Sequence, residues 1–309
     1  MSAHPAIAGI PLVLGGNVFG WTAAGDDGLA VLDAFYEAGG RMIDTADVYS
    51  AWVPGHKGGE SETFIGQWLE SRGVRDEMRL HTKTGMLGGK ELYAPARVLQ
   101  SLDASLDRLR TDWIDLYYAH VDFAELPIAE IVGAFDGAVR TGKVRSLGAS
   151  KFTAPRLAAA LDAGESSGAT PFTVLQNCYN LVQRDDYPAE LQALCASRGV
   201  VMLPFYGLAN GFLTGKYRTE ADFAKSVRGV RVEPLLERHG ALLAEMDAVA
   251  AETGATPAQI ALAWLGAQPN IAAPIASATS AAQVRELCGV AGLALTPGQL
   301  EQLDLASAN

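Results

Sequence analysis

Apolar residues along this chain alternate between two spacings. Short apolar runs, closed by glycine or a polar residue, give way to stretches whose apolar positions recur every three to four residues. The first pattern reads as buried strands and the second as amphipathic helices. Residues 12–14 form the first short run, closed by Gly15 and Gly16. Asp26 and Asp27 open a helical pattern carried by Leu29, Val31, Leu32 and Phe35, and Gly39 with Gly40 ends it. Residues 42–44 (MID) make the second strand. A glycine-bearing loop over 50–59 precedes a helix that Glu60 or Ser61 can cap, with Phe64, Ile65, Trp68 and Leu69 at helical spacing.

The alternation continues through the rest of the chain. Strands are predicted over 79–83 (RLHTK), 113–120 (WIDLYYAH), 146–150 (SLGAS), 174–177 (VLQN), 200–204 (VVMLP) and 271–276. Helices are predicted near 95–109, 127–140, 154–161, 188–197, 235–252, 257–267, 281–288 and 297–304, with one long interruption at 205–234. Alternating strands and helices imply a parallel sheet. Eight such units in 309 residues favour one closed (β/α)8 TIM barrel over two open sheets. The fold expected is therefore α/β, a single barrel domain over 1–309 with an extra C-terminal helix and long loops at the active-site end. No G-x-G-x-x-G follows the first strand, so the open dinucleotide-binding sheet lacks its best signature.

Charge narrows the partners. The chain has 24 basic and 35 acidic residues, a net charge of −11, and no basic run or stripe. Nucleic acid and anionic membrane surfaces are not expected as partners. An acidic chain can still hold an anionic cofactor where a few cations and backbone N–H groups converge. The N-terminal segment has no basic flank before its apolar residues, and no apolar window approaches a membrane span. A cytoplasmic location is expected. Cys178, Cys195 and Cys288 are far apart and lack C-x-x-C spacing, so reduced core thiols are expected rather than a disulfide or a metal site.

The candidate chemistry lies at strand ends. In a (β/α)8 barrel the C-terminal strand ends share one face. Asp44, Lys83 and His120 end the second, third and fourth strands, and Tyr49 sits in the loop after the second. A phenol titrates near pH ~10 in water and is a weak acid at neutrality. An adjacent ammonium favours its ionised form, and a carboxylate behind the ammonium holds that charge in place. A neutral histidine can direct a carbonyl oxygen by hydrogen bonding. Taken singly, Asp44 reads as a cap, Tyr49 as a loop aromatic, Lys83 as solvated and His120 as structural. Only their shared face makes them a site. His81 points the same way as Lys83 and reads as core packing.

At these residues the chain resembles the aldo-keto reductase family. The matching segments are DTADVY (44–49), GGESETFIGQWL (58–69), HTK (81–83), DLYYAH (115–120), GKVRSLGAS (142–150), QNCYNLVQR (176–184) and GFLTGKY (211–217). They follow the family's order over nearly the whole chain. The resemblance implies an NAD(P)(H)-dependent oxidoreductase that interconverts a carbonyl and an alcohol. It assigns Tyr49 as general acid and base, Lys83 as the group that lowers the Tyr49 pKa, Asp44 as partner of Lys83, and His120 as the residue orienting the substrate oxygen.

The same resemblance assigns cofactor contacts. Ser150, Lys151 and Gln176 would hold the nicotinamide carboxamide, with Lys151 standing where asparagine is usual. Phe205 would stack on the ring, where tyrosine is usual. Leu208, Asn210 and Lys216 fall in the pyrophosphate-binding loop, and Gly16 and Asp44 are further cofactor contacts. At the adenine end the matching positions are Ser277, Thr279, Gln283 and Glu286, and they lack the Lys or Arg often found there in NADPH users. Arg228 or Arg231 could meet a 2′-phosphate instead. NADP(H) is the favoured cofactor, and NAD(H) remains possible.

Phe19, Trp21, Trp52 and Phe123 follow the first, second and fourth strands, and with His120 they are candidates for an apolar substrate pocket. A small-molecule carbonyl or alcohol is the expected partner, and no obligate protein partner is evident. Two other functions stay open. One is an NAD-dependent dehydrogenase oxidising a sugar, pyridoxal-like or secondary alcohol. The other is a cofactor-sensing binding subunit with little turnover.

Overall fold

A computed structural model describes residues 4–225 and 229–308. The eight predicted strands are all present: β1 (Val13–Gly15), β2 (Met42–Asp44), β3 (Arg79–Thr84), β4 (Leu116–Ala119), β5 (Leu147–Ser150), β6 (Phe172–Gln176), β7 (Val201–Met202) and β8 (Ile275–Ala276). Between and after them run α1 (Gly25–Glu37), α2 (Glu60–Arg72), α3 (Pro95–Leu109), α4 (Ile128–Arg140), α5 (Ala154–Ser167), α6 (Ala189–Arg198), α7 (Glu233–Thr253), α8 (Pro257–Gly266), α9 (Ala281–Cys288) and α10 (Pro297–Ser307).

All strand pairs are parallel, in the order β7-β6-β5-β4-β3-β2-β1-β8. The two outer strands meet through the segment leading into β8. Met202 N donates to Asn270 O at 2.8 Å, Ala272 N donates to Met202 O at 2.9 Å, and Ile275 N donates to Pro204 O at 2.9 Å. These bonds close the sheet into a (β/α)8 barrel, which leaves no strand edge open.

Strand parity divides the core in two. Val13, Met42, Leu116, Tyr118, Val174, Leu203 and Ile275 pack together inside the barrel. Leu14, Ile43, Leu80, Tyr117, Ala119, Ala149 and Leu175 pack outward against the helices. Side chains alternate along a strand, so each inward residue near the bottom has a partner two positions on at the top. Met42 leads to Asp44, His81 to Lys83, Tyr118 to His120, Gly148 to Ser150, and Val174 to Gln176. Gly148 is needed for this layering: a Cβ there would lie 2.4 Å from the Tyr118 ring of the neighbouring strand. His81 is one of the barrel-filling residues, with Nε2 2.9 Å from Ala6 O of the N-terminal segment that plugs the lower end.

The structure trims some expectations. The strands over 113–120 and 271–276 shorten to β4 and β8, because 113–115 and 271–274 make only isolated contacts with their neighbours. α5 runs beyond residue 161 through a polar stretch with no apolar period, and ends at Gly168 with φ of 68°. The interruption at 205–234 holds short 3-10 turns, Ala209–Thr214 the first of them. All three cysteines are buried and unbonded. Among the described residues, no helix is long and apolar enough to cross a membrane, and no side-chain group is arranged to hold a metal ion.

Candidate active site

The inward strand ends open into a cleft of about 720 Å³ at the C-terminal face of the barrel. Lys83 lies beneath it, fully buried, and its ammonium uses all three protons. Nζ donates to Asp44 Oδ2 at 2.6 Å, to Thr45 O at 2.7 Å and to the Tyr49 hydroxyl at 3.0 Å. Asp44 is equally well held, because Gln176 Nε2 donates to its other oxygen at 2.8 Å. The Tyr49 hydroxyl also lies 3.5 Å from Asp44 Oδ2, and its ring meets His120 edge-on at 6.1 Å. The four side chains named from the sequence are thus brought to one place. Three of them, Asp44, Tyr49 and His120, line the cleft.

The electrostatics differ from expectation at one point. The Tyr49 phenol is pushed well above its usual range, by burial and by the negative charge of Asp44, rather than lowered by Lys83. The ammonium is shared among three acceptors, and the carboxylate nearest to it faces the phenol as well. Tyr49 therefore rests as a protonated acid. Burial pulls Lys83 down. Burial, then Lys83 and Lys151, hold His120 well below the usual histidine value, so its ring is neutral at physiological pH. Its Nδ1 is buried without a hydrogen-bond partner among the described residues.

Asp47 sits behind this group. Its Oδ2 accepts from Thr84 Oγ1 at 2.7 Å, while Oδ1 has no partner among the described residues. Burial raises its carboxyl from 3.8 to about 7. Below pH ~4 the group is neutral in both folded and unfolded chains. Between there and about 7 only the unfolded chain ionises, which drains stability, and above about 7 the full cost is present. Asp47→Asn cannot ionise. Its stability relative to the parent is expected to rise by roughly 2–3 kcal/mol between pH 5 and pH 8. Denaturant unfolding at the two pH values measures this, and an unchanged difference would show that Asp47 is not held neutral.

Residues expected to meet a nicotinamide cofactor lie along one wall. Ser150, Lys151, Gln176, Phe205, Leu208, Asn210, Lys216, Ser277, Thr279, Gln283 and Glu286 all line the cleft. Gly15, not Gly16, faces it: a Cβ at Gly15 would lie 2.4 Å from Ser277 Oγ, whereas Gly16 packs against the Asp44 carbonyl and Ser61. Ala209, Asn210 and Gly211 have φ of 46°, 57° and 96°, a run of left-handed backbone of the kind that concentrates at ligand sites. Thr279 N–H and Oγ1 both donate to Gln283 Oε1, at 2.9 and 3.1 Å, so these two side chains form one polar unit before α9. The long cleft, close backbone approach at Gly15 and polar groups at both ends fit an extended dinucleotide. Arg231 is exposed and does not line the cleft, and Arg228 lies outside the described residues.

The chain belongs to the aldo-keto reductase family. The model of the Aldo/keto reductase family matches residues 11–308. Norsolorinic acid reductase stcV of Emericella nidulans is 31% identical over 321 residues, covering 96% of this chain and 79% of that protein. Norsolorinic acid reductase of Aspergillus flavus is 28% identical, covering 98% and 79%. Aryl-alcohol dehydrogenase (NADP(+)) of Phanerodontia chrysosporium is 29% identical, covering 89% and 74%. Members of this family use NAD(P)H, and the chain is an oxidoreductase.

The substrate wall needs correction. Trp52 lines the cleft, with its ring 6.1 Å from Tyr49. Trp21 does not; it braces Trp52 from behind, edge to face at 5.7 Å. Phe19 is fully buried and stacks on Phe64 at 5.4 Å, so it belongs to the core between β1 and α2. Phe123 turns away to pack on Tyr93 at 5.0 Å. Sequence reasoning missed Asn17, Thr22, Val48, Met86 and Tyr206, all lining residues. Asn17 follows the first strand and could have been found by its position. Met86 and Tyr206 are exposed in loops without periodicity, and nothing in the sequence marks them.

Proposed function

We propose that this aldo-keto reductase interconverts an aldehyde or ketone and an alcohol with NADP(H), with Tyr49 as the proton donor in reduction. One observation carries the reading: a protonated phenol at 3.0 Å from a buried ammonium, beside a neutral histidine, on the floor of a dinucleotide-sized cleft. The bound nicotinamide would supply the hydride. Ser150 and Gln176 would hold its carboxamide, Phe205 would cover its ring, and Asn210 and Lys216 would take the pyrophosphate. His120, kept neutral, orients the carbonyl oxygen towards Tyr49. Tyr49 then gives its proton to the oxygen, and Lys83 stabilises the phenolate left behind. Asp44 fixes Lys83 and keeps the site close to neutral overall.

The preference for NADP(H) takes support from the relative named as an NADP(+)-dependent aryl-alcohol dehydrogenase. A second reading, NAD(H) with oxidation of an alcohol, is favoured by the adenine end of the cleft. There Ser277, Thr279 and Gln283 line the wall, and no arginine lines the cleft among the described residues. Parallel titrations of tryptophan fluorescence with NADPH and NADH separate the two. At least tenfold tighter NADPH binding is expected, equivalent to about 1.4 kcal/mol. Equal or tighter NADH binding would overturn the NADP(H) assignment.

A further inference from the structure

Lys151 follows Ser150 at the end of β5, with φ of 59°. That left-handed backbone is more readily adopted by glycine or asparagine than by lysine. The turn is anchored without the side chain, because Lys151 N–H donates to Asn177 Oδ1 at 2.7 Å. The side chain is exposed and runs across the mouth of the barrel, placing Nζ 3.5 Å from Met86 Sδ in the loop after β3. β4 lies between β3 and β5, and His120 directly follows β4. The lysine therefore spans the mouth over His120, next to the position where a carbonyl would be bound.

The charge at this end of the cleft is unbalanced. Two lysines line the cleft, and Lys216 belongs to the far end beside Gly211. The lining carboxylates are Asp44, already bonded to Lys83 at 2.6 Å, and Glu286 on α9. Lys151 forms no ion pair among the described residues; its ammonium donates to the Met86 sulfur at 3.5 Å. Asp186 is the acidic group that acts on it, through space. With His120 neutral and the Asp44–Lys83 pair cancelling, the substrate end presents one ammonium that no carboxylate contacts among the described residues, in a chain whose net charge is −11. Trp52, 47% exposed, and Met86, 44% exposed, offer apolar surface beside it.

We infer that Lys151 determines substrate choice: its ammonium receives a carboxylate carried by the carbonyl substrate, so the site selects oxo-acids and carboxylated aldehydes over neutral carbonyls. This rests on the reading of Tyr49 and His120 as the groups that hold the carbonyl oxygen. A charged hydrogen bond at a half-open site favours the anionic substrate and weakens with salt.

The test compares 3-formylbenzoate with 3-formylbenzamide, which match in shape and differ in charge. The parent enzyme is expected to show at least about tenfold higher kcat/KM for the carboxylate, mostly through KM. That ratio should fall towards one in Lys151→Met, persist in Lys151→Arg, and shrink as salt rises from 0.05 to 0.5 M by screening. A parent ratio near one, or a ratio that Lys151→Met leaves intact, would overturn the inference. So would weaker NADPH binding in Lys151→Met with an unchanged ratio, which would make the lysine a cofactor contact. A second arm needs no turnover: benzoate and benzamide are titrated by tryptophan quenching in the presence of NADP+. Tighter benzoate binding that depends on Lys151 supports the inference, and equal binding refutes it. If neither aldehyde is reduced with either nucleotide, the carbonyl-reductase reading fails, and the benzoate titration decides the role of Lys151 alone.

Discussion

Replacing Tyr49 with phenylalanine is expected to lower kcat for carbonyl reduction by about 10²- to 10⁴-fold, the usual contribution of a positioned general acid. Nucleotide binding should change by less than about threefold, since the phenol lies on the cleft floor and the ring is retained. Phenylalanine keeps the edge contacts with Trp52 and His120, at 6.1 Å each. It removes only the hydroxyl and leaves Lys83 with two of its three acceptors. The alternative proton donor is His120, but burial and the lysines hold that ring neutral, and a neutral imidazole has little proton to give at pH 7. The measurement is kcat by NADPH oxidation set beside the nucleotide Kd from fluorescence. A variant that keeps full kcat would refute Tyr49 as the acid, and one that loses nucleotide binding in parallel would assign it to the cofactor instead.

The barrel was legible because strand and helix spacings alternate without a break, and because glycines mark most of the turns. The candidate catalytic group was legible for a related reason. Two-residue periodicity puts Asp44 above Met42 and Lys83 above His81, so a strand's last inward residue must face the cleft. Residues in loops escaped that rule. Phe19 and Phe123 follow strands just as Trp52 does, yet each found an aromatic partner in the core, Phe64 and Tyr93. Periodicity fixes the direction of a side chain on a strand and says nothing about one in a turn. The direction of the Tyr49 shift was unreadable for another reason. It depends on how deeply the phenol is buried and on how close Asp44 comes to it, which only the folded arrangement reveals.

Lys83→Met should separate stability from catalysis. Methionine has nearly the length of the lysine stem, so packing is largely conserved, but the buried Asp44 loses its cation and the Thr45 carbonyl loses its donor. Removing one partner of a buried ion pair costs about 3–5 kcal/mol, because the other charge stays behind uncompensated. The loss should appear as a lower denaturant midpoint with an unchanged slope. Adding Asp44→Asn removes that stranded charge, and Gln176 Nε2 can still donate to the new amide oxygen in place of the 2.8 Å bond to Asp44. The double variant is therefore expected to regain most of the stability. Activity should not return, since neither change restores the ammonium that stabilises the Tyr49 phenolate, and kcat should stay at least 10²-fold down, the scale of one lost electrostatic donor. Stability and kcat recovering together would show that the single variant had only damaged the fold. A single variant as stable as the parent would show that Lys83 and Asp44 are not a mutually dependent pair.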